Sequence, residues 1–165
     1  MSMRNIPNKK LKVVFYVFLF SSLFLADRFS KAWALKNLLL KDVALFNGLN
    51  LSLAFNRGIS FGYLRFNSFY GFVVLTFIIF CIVLAFTFYT IYKFKKGANI
   101  FFEVLIIAGA ISNLVDRFLY GGVIDFIDCY VYKWHWPIFN LADVFVCVGI
   151  LGILIRNFYD EPISI

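Results

Sequence analysis

Apolar residues fall into four long runs, set apart by two mixed outer stretches and one short basic connector. Val13 to about Leu35 is the first run, Phe69–Tyr92 the second, Ile100–Val115 the third and Leu141–Ile155 the fourth. A spanning helix needs about 20 predominantly apolar residues. The runs therefore predict transmembrane helices at roughly 13–35, 69–92, 100–117 and 140–157. The first reaches that length only if the turn Asp27–Lys31 is included. Segments 36–68 and 118–139 lie between spans. Within 36–68, Leu49-Asn50-Leu51-Ser52-Leu53-Ala54-Phe55-Asn56 alternates with period two, the pattern of a half-buried strand. Gly48, Gly58 and Gly62 bracket it as turns or bulges. Segment 118–139 opens on Gly121-Gly122 and holds Trp134, Trp136 and Pro137; tryptophan favours the membrane–water interface. The expected fold class is an all-α integral membrane protein with four transmembrane helices and a small extracytoplasmic β element, one domain over 1–165.

Composition agrees. The 165 residues are 62% hydrophobic and 21% aromatic, with a mean hydropathy of +0.86. A soluble domain is about 45–50% apolar, which excludes that class. The net charge of +7 invites a nucleic-acid reading, but Lys and Arg also gather at membrane ends, where they set topology, so no nucleic-acid partner is expected. Arg4, Lys9, Lys10 and Lys12, the connector Lys93–Lys96 and Arg156 all fall on one side. That side is cytoplasmic by the positive-inside rule, which puts both termini inside and segments 36–68 and 118–139 outside. The charged start and short apolar core imitate a signal peptide. No small-x-small cleavage site follows, and Asp27-Arg28 comes next. Cys81, Cys129 and Cys147 are odd in number and unpaired in spacing; with His135 the single histidine, no zinc or haem set is expected. Cys81 and Cys147 read as small core residues.

Ionisable groups inside a bilayer are costly, yet Gly109–Asp143 carries Asp116, Arg117, Asp125, Asp128 and Asp143 with Asn113 and Asn140. By depth these meet Asp27, Lys31 and Asn56 at the outer boundary. Asp27 and Lys31, at i and i+4, read as a helix-end ion pair. Asp116-Arg117 reads as a neutralising pair closing the third helix, and Asn140 as an N-cap. Asp143 sits three residues into an apolar helix, where burial raises a carboxyl pKa unless it is paired. Asp125, flanked by Val123-Ile124 and Phe126-Ile127, projects from a β-like or hairpin segment. Two carboxylates near one boundary can share a proton, one as general base on water and the other as general acid. The spacing leaves open whether Asp116 or Asp128 takes the place of Asp125.

Five motifs in order then resemble lipoprotein signal peptidase (signal peptidase II), the bacterial intramembrane aspartyl protease family. They are Asp27-x-x-x-Lys31; Asn56-x-Gly58-x-x-Phe61; Gly109-Ala110-x-x-Asn113-x-x-Asp116-Arg117; Gly122-Val123-x-Asp125-Phe126-Ile127; and Phe139-Asn140-x-Ala142-Asp143. Ile59 and Ser60 stand where the family commonly has alanines, and Ser112 where it often has glycine. The resemblance implies that Asp125 and Asp143 are catalytic. Asn56, Gly58, Asn113, Arg117 and Asn140 would bind substrate or orient the site, with Asp27, Lys31 and Asp116 supporting it. It implies no cofactor and no metal. The substrate would be a diacylglyceryl-modified prolipoprotein, cut just before its lipidated lipobox cysteine. The outer segments would be a β-cradle and a mobile cover. The expected setting is the bacterial cytoplasmic (inner) membrane, with the site near the outer face, membrane lipids as partners and a monomeric enzyme. A small transporter or channel component and a structural assembly subunit are the alternatives; acids along a path through the membrane would favour the former.

Overall fold

The computed structural model describes residues 9–58 and 69–160. Arg4 of the basic cluster, Ile59, Ser60 and Phe61 of the second motif, the Gly62 turn and the tail 161–165 lie outside the described residues. The helices are α1 (Lys9–Asn37), α2 (Phe69–Lys95), α3 (Phe101–Tyr120) and α4 (Leu141–Asp160). Three of them, α1, α2 and α4, are long and apolar enough to cross a membrane. Helix α3 packs Glu103, Asp116 and Arg117 into its 20 residues, and so falls short on composition.

Every helix runs beyond its expected end. Lys93 and Lys95 belong to α2 rather than to a connector, and Phe118–Tyr120 to α3 rather than to the outer segment. Polar residues near a helix end still complete backbone hydrogen bonds, so hydropathy marks the apolar part of a helix rather than its termini. What stops α3 is Gly121, in the left-handed region at φ 67°, where a side chain would crowd the following carbonyl. Helices α3 and α4 lie close enough that a Cβ on Gly109 would collide with the Ala142 carbonyl. One on Gly149 would fall 2.7 Å from the carbonyl oxygen of Phe102. Small residues at such crossings let two backbones approach within a membrane, where water drives no apolar association between helices.

The β element has four antiparallel strands in the order β1 (Val43–Phe46), β2 (Leu49–Asn56), β3 (Val123–Val131) and β4 (Trp134–His135). Strand β2 has the bounds that its alternation predicts; β1 and β4 carry no comparable period. A register shift between Leu51 and Ala54 sets Asp125 opposite Ala54 and Val123 opposite Asn56. The sheet sits on the end of α1, where Phe126 packs against Ala34 and Leu38, with Val43, Leu51 and Leu53 around them. Backbone hydrogen bonds between Ile127 and Phe139, and from Trp136 N–H to the Cys129 carbonyl, carry the chain back along β3 into α4.

Candidate active site

The sheet end of the bundle is built on a buried lysine. Lys31 Nζ lies 2.7 Å from Asp27 Oδ2, 2.8 Å from Asp116 Oδ2 and 2.7 Å from Asn113 Oδ1. Its three protons are thereby all used. Asp116 also pairs with Arg28 and accepts the Ile124 N–H at 3.3 Å. Asp27 Oδ2 accepts the Ser112 hydroxyl at 2.6 Å, and Oδ1 the Ala142 N–H at 2.9 Å, in the first turn of α4. Two cations balance two anions, as burial requires. The expected Asp27–Lys31 pair is present. The expected Asp116–Arg117 pair is not: consecutive helical residues point about 100° apart, so Asp116 faces α1 while Arg117 faces α2 and the sheet.

Beside this network lie Asp125, 2% exposed on β3, and Asp143, half-buried in α4. Asn140 holds both. Its Nδ2 donates to Asp125 Oδ1 at 2.7 Å, and its backbone N–H to Asp143 Oδ2 at 3.2 Å. Its Oδ1 accepts the Asp143 N–H at 3.0 Å, so the expected N-cap is formed and is reciprocal. Asn113 Nδ2 donates to Asp143 Oδ1 at 2.9 Å. The Asn113 oxygen accepts from Lys31 at 2.7 Å and from Asn140 at 3.2 Å. One amide thus joins the ion network to the second carboxyl. Burial pushes the Asp125 carboxyl up to about 7, helped by the Asp143 charge; hydrogen bonds from Asn56 and Asn140 and the charge of Lys31 oppose the rise.

Asn56, Asn113, Arg117, Asp125 and Asp143 line one cavity of about 170 Å³. An adjoining groove of about 280 Å³ runs from both aspartates along Val144, Cys147, Val148 and Leu151 of α4. Gly58 is held by its neighbours. Its N–H donates to Asn56 Oδ1 at 2.9 Å, and its carbonyl accepts from Arg117 Nη2. Every candidate residue on the described chain therefore reaches this end of the bundle.

The alternatives for Asp125 are engaged elsewhere, Asp116 in the ion network and Asp128 with His135 Nδ1 at 2.8 Å. Cys81 and Cys147 are exposed rather than core, because apolar helix faces here cover the outside of the bundle as well as its inside. Arg28 and Ser112 were missed. A cation beside Asp27 offers no sign of a partner 88 residues away, and a serine among apolar residues reads as filler until its acceptor is known.

A family model described as Signal peptidase (SPase) II matches residues 19–159. The lipoprotein signal peptidase of Wigglesworthia glossinidia brevipalpis is 39% identical over 138 residues, 82% of this chain and 88% of that protein. That of Blochmanniella pennsylvanica is 36% identical over 139 residues, 82% of this chain and 84% of that protein. A bacterial membrane enzyme solved at 2.3 Å resolution superposes with a TM-score of 0.73 and 26% identity, covering 90% of each chain. Another, at 1.9 Å, gives 0.72 and 26%, covering 90% of this chain and 96% of that one. The described chain is that of a membrane protein.

Proposed function

Because the chain belongs to the signal peptidase II family, we propose that it is a membrane aspartyl endopeptidase. Its substrate is a prolipoprotein carrying a diacylglyceryl group on the lipobox cysteine, and it removes the signal peptide by cutting just before that cysteine. The observation that carries this reading is the amide scaffold common to Asp125 on β3 and Asp143 on α4, at one cavity. Amides hold carboxyls in place without fixing their charge, as acid–base work requires.

The pair shares one proton and titrates as a unit. The ionised carboxylate takes a proton from a water whose oxygen bonds to the scissile carbonyl carbon. The protonated carboxyl gives its proton to the carbonyl oxygen, and a gem-diol results. When the gem-diol collapses, its C–N bond breaks and a proton passes to the cysteine nitrogen. The products are a signal-peptide carboxyl and the free amine of the lipidated cysteine. Asn113, Asn140 and Arg117 supply donors for negative charge that develops on the way.

The topology goes with this chemistry. We take α3 as a fourth span, since its charges sit at its ends, Glu103 in the first turn and Arg117 in the last. Both termini are then cytoplasmic, the sheet and aspartates lie at the outer face of the bacterial inner membrane, and one domain acts as a monomer. A transporter would want polar groups strung between the two ends. Among the described residues of α3, Val104–Ile111 separates Glu103 from Ser112 without one charged side chain.

The test is cleavage of a diacylglyceryl-modified prolipoprotein by the lipid-reconstituted protein, its Asp125→Asn variant and its Asp143→Asn variant. Wild type should cut before the lipidated cysteine and both variants should fail, by about 10³-fold or more. Undiminished turnover in either variant would remove that aspartate from the mechanism.

A further inference from the structure

Two buried side-chain polar atoms among the described residues have no hydrogen-bond partner, Thr76 Oγ1 and Arg117 Nη1. They belong to different helices, and only Arg117 falls in one of the five motifs, yet both line the same groove. It lies between α2 and α3, has a volume of about 470 Å³, and is walled by Phe72, Val73, Phe77, Phe80 and Phe118. Thr76 is 6% exposed and Arg117 is 5% exposed. A buried donor left without an acceptor is destabilising, so two of them facing one apolar space mark a place where a ligand brings the acceptor.

The groove limits what that ligand is. Val73, Phe77, Phe80 and Phe118 are 40–67% exposed on the bundle's outer surface, so an alkyl chain lies along them and continues beside the bundle. The ring of Phe72 lies 5.7 Å from the guanidinium carbon, which keeps that end aromatic as well. Arg117 also lines the aspartate cavity, so the polar end of the groove opens beside the reaction centre. Asp125 and Asp143 already place negative charge near the Arg117 guanidinium without forming an ion pair with it. An anionic phosphate would bring an unbalanced charge into this space, whereas a neutral carbonyl oxygen has two lone pairs for two donors. We infer that the α2–α3 groove holds one acyl chain of the substrate's diacylglyceryl group, its ester carbonyl accepting from Thr76 Oγ1 and Arg117 Nη1. This rests on the proposed substrate, and it makes Thr76 a residue that recognises the lipid rather than the peptide.

The test uses a synthetic diacylglyceryl lipopeptide with a photoactivatable diazirine in one acyl chain and the full-length protein in nanodiscs. The Asp143→Asn variant keeps turnover out of the readout. Crosslinks should map to α2 and α3 around Phe72, Phe77 and Phe118. Excess unlabelled lipopeptide should suppress them, and excess bulk phospholipid should not. Crosslinks confined to α4 around Val148 and Leu151, or lost equally to phospholipid, would overturn the assignment; the latter result would leave only a bilayer lipid in the groove. Crosslinks in the expected place with no cleavage by wild type would leave the groove standing and sink the proposed activity. A second arm compares the ester-linked substrate with its diether analogue, which lacks the carbonyl. Wild type should prefer the ester through KM by about tenfold or more, in keeping with the two hydrogen bonds the diether cannot accept. Thr76→Val should cut the preference to the share that Arg117 Nη1 still supplies, and Thr76→Ser should restore it. A preference untouched by Thr76→Val would remove the hydroxyl from recognition.

Discussion

The bundle has a buried ionic cluster at each end, and the two are built on opposite rules. At the end away from the sheet, Glu103 is 1% exposed and takes two cations, Lys93 at 2.6 Å and Arg156 at 2.7 Å. Three helices are tied by one acid, and its charge is more than matched. At the sheet end, Asp27 and Asp116 follow the same rule with Lys31 and Arg28. Asp125 and Asp143, a few ångströms further on, break it. Each is held by amide or backbone N–H groups, and neither forms an ion pair among the described residues. A cation fixes a carboxylate as an anion; an amide holds it in position and leaves its protonation free. The contrast separates carboxyls that brace this molecule from carboxyls equipped to exchange protons.

Breaking the balanced network should do the greatest damage. Lys31→Met leaves two buried carboxylates short of a partner, a loss of about 3–5 kcal/mol. Thermal unfolding in detergent should show a large drop in Tm, and activity should vanish with the fold. If the variant folds normally but is inactive, Lys31 belongs to the chemistry instead. Glu103→Gln comes next. Lys93 and Arg156 are each 22% exposed in their side chains, so the loss should be about 1–2 kcal/mol. Turnover per folded molecule should stay at the wild-type level, and a fallen kcat would erase the distinction between the two ends.

Titration sharpens the contrast. Asp125 has its pKa raised in the folded protein, so the folded state binds its proton more tightly than the unfolded chain does. Stability contributed by that proton is therefore lost as pH rises from the ordinary carboxyl range through about 7. Asp125→Asn should raise Tm relative to wild type at pH 8 and do so far less at pH 4. The same loss of the shared proton should lower wild-type cleavage on the alkaline side of about 7. A flat profile across that range would mean that Asp125 does not hold the working proton. The smallest effect belongs to Ser112→Gly, which removes one hydroxyl from Asp27. It should cost about 1 kcal/mol with kcat kept, measured by unfolding and cleavage on one preparation.

Local features of this architecture are legible in the sequence. The alternation of Leu49–Asn56 sets β2, the spacing of Asp27 and Lys31 sets their pair, and Asn140 before an apolar run sets the cap of α4. Pairings across the fold are hidden. Nothing near Asp116 points to Arg28 on α1, and β1 and β4 are too short to show a period of their own. Hydrophobic pattern also loses its usual meaning in a bilayer. Residues facing lipid and residues facing protein are equally apolar, so Cys147 beside the aspartates and Cys81 on α2 look alike until the helices are packed. The motif resemblance filled part of that gap for Asn113 and Arg117. It could not reveal Thr76, which lies outside all five motifs.

The network on α1 has a further consequence for the order in which the protein is made. Asp27 and Lys31 neutralise one another within a single helix, so they can enter the bilayer together as soon as α1 emerges. Arg28 has no such neighbour, and its partner Asp116 is synthesised 88 residues later. The acceptor for the Ala142 N–H waits 115 residues for its donor. Helix α4 therefore docks onto a charge already carried by α1, and Asp143 meets Asp125 only when that docking is complete. Until α4 is in place, Asp125 and Asp143 have no amide scaffold in common.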